Sequence, residues 1–416
     1  MEEFLIASKI AMTKLNDLKK IFVILGNESC DLDSAVCTLV HGLFHYNSLL
    51  RDNTEGIAVI PVLNVVKNQF NIKTEVIYHL ETNKVPLELL TFRDEINLME
   101  LNKRQILALC LVDHHTLNDY DMPLVASVVE VIDHRPQDLN WPWTACDINL
   151  KKVGSCATLV AQNILEKNPQ LLDQQIFNLL TGNYSSIVNI YEMNSAEKNK
   201  SSPILIDTCN FSESAARATP LDFEVTQRLE LISGIESTAE NRNDVYSKIL
   251  RAKTDISSLS PINLLEKDLK FVNGIPIPGL PILAQEFLNL NGALEAVNSF
   301  TRARECRFTV LLGMDLKGDV MKRDCAVFSF LPNDLENKEF GEWTQSAWNI
   351  AGMLQQCSEP CTTFRTLLQH SCNIPVATLQ CESCRNVAGT LQREHYNVNV
   401  TGTLQRQHCG LWPFPN

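Results

Sequence analysis

The chain reads as an α/β fold, a doubly wound and mainly parallel sheet, followed by a smaller α+β unit. Three observations carry this. Short apolar, β-branched runs alternate with helical patterns through the first half. Those runs end abruptly in polar or acidic residues, as strands that meet a ligand crevice at their carboxyl ends do. The length, 416 residues, is enough for two domains of ordinary size.

Taken in order, 21–25, 57–60, 75–78, 106–112 and 128–132 are the expected strands. They are apolar on both faces, which suits a sheet covered by helices on each side. Segments 34–50, 86–104, 156–167 and 173–182 are the expected connecting helices. After about residue 240 the pattern changes. Helical patterns at 261–270 and 282–304 precede strand candidates at 307–312 and 325–330. The expected organisation is a first domain over 1–240, a second over 250–355 and an atypical Cys-rich tail over 356–416. The linker is expected within 232–255, where polar residues concentrate.

The composition is that of an ordinary globular protein, 45% hydrophobic and 20% charged. A net charge of −13 without a long Lys/Arg run argues against a nucleic-acid partner. No apolar run is long enough to span a bilayer, so no membrane association is expected. Glu2 and Glu3 speak against a secretory signal or an Arg-rich presequence. The expected compartment is the cytoplasm, and an amphipathic stretch over 4–15 leaves a mitochondrial destination open. Cys37, Cys110 and Cys156 sit in apolar runs, as small buried hydrophobes kept reduced do. Cys357, Cys361, Cys381 and Cys384 in the tail have an irregular spacing for structural zinc, and reduced cysteines in a loose tail are the simpler reading.

Three acidic clusters follow expected strands: Gly26-Asn-Glu-Ser-Cys-Asp-Leu-Asp-Ser34, Val112-Asp-His-His115 and Ile132-Asp-His-Arg-Pro136. If their strands are neighbours, the clusters converge on one crevice. Asp31, Asp33 and Asp113 supply oxygen ligands suited to hard divalent cations, and imidazole adds one suited to Mn²⁺ or Co²⁺. Each cluster alone has a plainer explanation. Asp-x-Asp-Ser is also a helix N-cap pattern, and Asp-His at a strand end is often a buried hydrogen-bonded pair. The three together, in order, point to metal-assisted phosphoryl chemistry. Gly154-Ser-Cys-Ala-Thr158 opens a helix after a strand, which suits either a bound phosphate or an ordinary helix start.

These motifs resemble the first three motifs of the DHH superfamily, which contains the family II pyrophosphatases and the eukaryotic exopolyphosphatases. The likeness covers roughly residues 20–255. It implies that Asn27, Asp31 and Asp113 form the shell of one metal. Asp33, Asp113, His134 and Asp207 then form that of a second, with Mg²⁺ or Mn²⁺ in both and Co²⁺ as an alternative. Asp207, in Pro203-Ile-Leu-Ile-Asp207, is the match to the fourth motif. Asp113 and Arg135 are the expected catalytic residues, with Arg135, His115, Gly154 and Ser155 facing the substrate. Asn27 and Arg135 stand where the pyrophosphatases have histidines, and both departures resemble the exopolyphosphatase branch.

The resemblance implies hydrolysis of a short polyphosphate. The alternatives are a cyclic-nucleotide phosphodiesterase, or a regulatory partner of a nucleoside diphosphate kinase with weak activity. Two features depart from the family. The basic Ser-Arg-Lys-Lys-like motif of the second, DHHA2-like domain is missing, with Arg393 and Arg406 the nearest candidates. Segment 183–202 interrupts the fourth motif, because joining Gly182 to Pro203 restores it. A surface loop, or a short intron translated in frame, accounts for it, and Asp207 is expected to re-enter the site after it.

Overall fold

The computed structural model describes residues 1–181, 202–315 and 322–329, apart from the loop positions 53, 139, 142, 144–145, 214, 235–238 and 273, together with strands 365–367 and 376–380. All of the 183–202 insertion but Ser202, and most of the tail, lie outside these residues, as do Arg393, Arg406 and the four tail cysteines singled out above.

The first half begins α1 (Glu2–Met12), β1 (Lys20–Leu25), α2 (Leu32–Arg51), β2 (Ile57–Leu63), α3 (Thr74–Thr82), β3 (Thr91–Phe92), α4 (Leu98–Lys103), β4 (Leu107–Val112), β5 (Val128–Asp133) and β6 (Asp147–Leu150). It continues with α5 (Cys156–Lys167), α6 (Gln174–Thr181), α7 (Pro203–Asp207), α8 (Pro220–Ser233) and α9 (Ala239–Thr254). Its six strands run in the order β3-β2-β1-β4-β5-β6, all parallel. The chain builds outward one way from β1 through β2 and β3, and the other way from β4 through β5 and β6. The crevice at the β1/β4 switch point is therefore where a ligand is expected. Each face of the sheet has its own core. One gathers Ile24, Cys110 and Ile132 with α2, α5, α6 and α7, and the other gathers Val23, Leu109 and Val131 with Leu98 and Leu101 of α4. This two-sided burial is the reason the strands read as continuous apolar runs.

Several sequence expectations change. Residues 75–78, expected as a strand, lie in α3, where Val76, His79 and Leu80 are buried at helical spacing. The outer strands come instead from β3 and β6, which are short and carry little apolar signal. Segment 86–104 is not one helix but 3-10 turns, β3 and the six-residue α4. The polar stretch expected as a linker is mostly α9. The Thr74 hydroxyl of α3 donates to Ala252 O of α9 at 2.7 Å, so this helix is packed on the first sheet's helical layer.

The second half comprises α10 (Pro261–Lys267), β7 (Asp268–Val272), β8 (Ile275–Leu280), α11 (Ala284–Leu288), α12 (Ala293–Ala303), β9 (Phe308–Asp315), β10 (Lys322–Ser329), β11 (Arg365–Leu367) and β12 (Val376–Gln380). Its mixed sheet has the order β11-β12-β10-β9-β8-β7, with only β8 and β9 parallel among the described pairs. Two strands therefore lie in the tail that the sequence left without periodic structure. The expected helix at 282–304 breaks at Gly292, which has φ +77°. The halves are joined by a buried contact. Lys267 Nζ donates to Ile72 O at 2.7 Å, to the Thr74 hydroxyl at 2.9 Å and to Glu75 Oε2 at 3.0 Å.

Candidate metal centre

Three loops meet at the switch point. After β1 the chain turns at Gly26, where any Cβ would collide with the Ser34 and Thr38 hydroxyls at the start of α2. The Asn27 N–H donates to Ser34 Oγ at 2.8 Å, which closes the loop. Asp31 is the N-cap of α2 and accepts from the Ser34 N–H at 3.0 Å. The N-cap reading and the ligand reading of Asp31 are therefore compatible. After β4, Asp113 takes φ +62°, a left-handed conformation in which non-glycine residues cluster at functional sites. Its carboxylate is buried between the other two loops.

Asp113 sits at the centre of the constellation. Its Oδ2 accepts a short hydrogen bond from the Asn27 amide. Its Oδ1 faces His134 Nε2 at 3.3 Å and Arg135 Nη2 at 3.6 Å. Among the described residues no well-formed hydrogen bond reaches Asp113 Oδ1, nor Asp207 Oδ2. Donor atoms of Asp33, Asp113 and His134 lie within 4.8 Å of one another, close enough to share one cation.

The electrostatics are those of crowded negative charge. Burial and the neighbouring Asp31 and Asp33 push the Asp113 carboxyl up to about 8. Burial with Asp33 and Asp31 raises Asp207 in the same sense. Burial pulls His134 down, but the Asp113 hydrogen bond and the charges of Asp113, Asp33 and Asp207 outweigh it and raise the imidazole to about 10. Four crowded carboxylates, two with buried oxygens that no well-formed hydrogen bond reaches, are what a divalent cation would satisfy. The donor set present fits such an ion.

Asp207 follows the return of the chain at α7. Ser202 caps α7, accepting from the Leu205 N–H at 3.2 Å, and its own hydroxyl donates to Leu180 O at 3.0 Å. The chain thus leaves at the end of α6 and returns beside the same point. Pro203 occupies the first helical position and Ile204 and Leu205 are buried.

Three residues expected to face substrate do not. Gly154 N donates to Asp222 Oδ2 at 2.9 Å, and a Cβ there would lie 2.6 Å from the Thr208 methyl. Ser155 Oγ donates to Asp33 Oδ1 at 2.8 Å. The free N–H groups of Cys156 and Ala157 also go to Asp33, at 2.6 and 2.8 Å. This helix start therefore holds a carboxylate of the protein instead of a phosphate, which corrects the assignment of Gly154 and Ser155. His115 is corrected likewise. Its Nδ1 bonds Asp133 Oδ2 at 2.5 Å and its Nε2 accepts from the Asp138 N–H at 2.9 Å, so both ring nitrogens are committed to the protein. Asn27 is placed at the site, but its Oδ1 accepts from the Ser29 N–H at 2.8 Å, and only its amide nitrogen faces Asp113. Ligation by this residue requires the amide to turn over.

The fold also brings a cation that sequence reasoning missed. Lys253 of α9 is held firmly protonated by Asp268, with Glu75, Asp31 and Asp207 adding to the effect. No local motif marks it; the packing of α9 sets its charge against Asp268.

A doubly wound parallel sheet, with acidic loops after β1, β4 and β5 meeting a returning aspartate, fits what the resemblance to the DHH superfamily implies. The chain is a relative of the prune proteins of that superfamily. It is 31% identical over 322 residues to exopolyphosphatase PRUNE1 of Homo sapiens, a match covering 76% of this chain and 63% of that protein. It is 33% identical to exopolyphosphatase PRUNE1 of Bos taurus, over 73% of this chain and 61% of the relative. The chain thus spans about three fifths of the length of these curated relatives. Among solved structures, it is similar to a Methanococcus jannaschii protein described provisionally as a family II inorganic pyrophosphatase. That likeness has a TM-score of 0.47 at 17% identity, covering 77% of this chain and 90% of that one. No family model matches the chain.

Proposed function

We propose that this chain is a divalent-metal-dependent hydrolase of short phosphoanhydride chains such as tripolyphosphate. One observation carries the reading: the crowded buried carboxylates of Asp113 and Asp207 opposite His134, at the sheet's switch point, with Asp207 Oδ2 lacking any hydrogen bond among the described residues. Asn27, Asp31 and Asp113 would hold one cation, and Asp33, Asp113, His134 and Asp207 a second. When bound, two such ions supply Lewis acidity to phosphoryl oxygens and activate water. The oxygen-rich donor set favours Mg²⁺ or Mn²⁺, and the single imidazole also admits Co²⁺.

The chain's own residues then divide the work. Asp113 joins the two halves of the constellation. The start of α5 holds Asp33 in place through its N–H groups. Arg135 donates from Nη1 to Asp113 O at 2.8 Å, and its partly exposed fork can also address phosphate oxygens. The names of the PRUNE1 relatives agree with this substrate class.

Among the described residues no helix is long and apolar enough to cross a membrane, and the cytoplasm is the compartment we propose. A nucleoside diphosphate kinase remains a proposed partner on resemblance to the family alone. The test is phosphate release from tripolyphosphate and turnover of cyclic AMP, each with Mg²⁺, Mn²⁺ and Co²⁺. The reading expects the anhydride to be the better substrate; preferential turnover of cyclic AMP would overturn it.

A further inference from the structure

Helix α2 carries a second cluster of donors well along from its acidic N-terminus. His41 and His45 lie one turn apart and project towards Glu130 of β5. His41 Nε2 is 2.9 Å from Glu130 Oε2, His45 Nε2 is 2.7 Å from the same oxygen, and the two Nε2 atoms are 3.1 Å apart. The atoms form a closed triangle of two imidazole nitrogens and one carboxylate oxygen. The His41 side chain is fully buried, while those of His45 and Glu130 keep 23% and 16% exposure, which leaves a path from solvent. Cys110 of β4 pairs across the sheet with Glu130, and burial together with that carboxylate pushes its thiol up.

We propose that His41, His45 and Glu130 form a binding site for a zinc-class divalent cation, separate from the acidic crevice. Two nitrogens and an oxygen are a zinc-type donor set, and two histidines one helical turn apart converge on such an ion naturally. Neighbouring donors around a tetrahedral ion with bonds of about 2 Å lie roughly 3.3 Å apart, so a small outward movement of each group from the triangle admits it. The His41 side chain is held wholly inside the core on α2. Its Nδ1 is buried and has no hydrogen-bond partner among the described residues. The competing arrangement is metal-free, with both imidazoles donating to one carboxylate oxygen.

The site would be a structural clasp. It ties α2, which Asp31 caps and whose first turn carries Asp33, to β5, which ends at Asp133 beside His134 and Arg135. The fourth position is left to water or to the Cys110 thiol, which a bound ion would deprotonate.

The experiment titrates zinc against a chromophoric chelator in the full chain, with excess Mg²⁺ present to occupy the crevice. The parent is compared with His45→Gln and Glu130→Gln, whose folding is checked by circular dichroism. The expected result is one zinc equivalent bound with sub-micromolar affinity by the parent and at least about tenfold more weakly by each folded variant. An anomalous-difference map at the zinc edge of the parent keeps the test independent of variant folding, and a peak between His41, His45 and Glu130 is expected. Equal zinc uptake by the parent and a folded variant, or a map without that peak, overturns the proposal.

Discussion

The crevice and the scaffold directly behind it are built from the same residue types, yet they treat their polar atoms in opposite ways. In the scaffold, Asp222 accepts from Gly154 N, Thr158 Oγ1, Thr219 N and Thr219 Oγ1 at 2.6–2.9 Å, and His115 has both nitrogens bonded. In the crevice, Asp113 Oδ1 and Asp207 Oδ2 are buried without a well-formed hydrogen bond among the described residues, and Asp113 Oδ1 meets only the longer ion-pair contacts of His134 and Arg135. Buried polar groups are normally satisfied, so the contrast locates the part of the molecule that awaits something from outside. The satisfied region contributes stability, and the unsatisfied one gives up stability for chemistry.

Substitutions should therefore separate the two regions. The largest effect is expected for Asp113→Asn. Hydrolysis of tripolyphosphate should fall by at least about a hundredfold, because the residue shared by both proposed cations is lost. Above about pH 8, where Asp113 is ionised, the metal-free melting temperature should hold or rise, since a crowded buried charge has been removed. A calorimetric scan beside the activity assay checks both. Asp222→Ala should behave in the opposite manner. Four donors lose their acceptor, and stability should fall by about 3 kcal/mol in urea unfolding.

The comparison also has a pH signature. In the metal-free protein Asp113 binds its proton up to about 8 and His134 up to about 10, both above their unfolded values. The stability these groups contribute is full below their unfolded pKa values and is lost as pH rises through about 8 and then about 10. Melting of the metal-free parent should therefore decline between pH 6 and 9 relative to Asp113→Asn, and Mn²⁺ should restore more stability at the upper end. Parallel profiles would show that Asp113 is not under this strain.

Smaller effects are expected at the rim. Arg135→Lys keeps a charge beside Asp113 but loses the fork, and turnover should fall roughly tenfold with Mn²⁺ affinity unchanged. Deleting 183–201 while keeping Ser202 should leave activity within about twofold. Ser202 and Leu180 already bring the ends of that segment together, and a longer loop adds little closure entropy. A large loss on deletion would make the segment part of the working site.

Much of the crevice was legible in sequence because Asp31, Asp33, Asp113 and His134 follow strands whose apolar runs are unmistakable. Asp207 was legible only through its match to the fourth motif of the resemblance, with Pro203 and the apolar 204–206 marking where the chain re-enters. What escaped was decided by tertiary partners. Nothing local in Gly154-Ser155 shows that its N–H and hydroxyl groups serve Asp222 and Asp33 and not a phosphate. His115 likewise looks available until Asp133 and Asp138 are placed around it. Residues 75–78 are β-branched and apolar enough for a strand, and only their helical burial distinguishes them. Glu130 and the α2 histidines, 85 and 89 positions apart, share no motif that sequence could have joined.

The most direct test of the account measures phosphate release from tripolyphosphate by the metal-stripped full chain as Mn²⁺ is added back, alongside Asp113→Asn. The account predicts no turnover without metal, saturable activation of the parent by Mn²⁺, and neither activation nor tight Mn²⁺ binding in the folded variant. Hydrolysis that proceeds in the presence of excess chelator, or full Mn²⁺-dependent activity in Asp113→Asn, would contradict it.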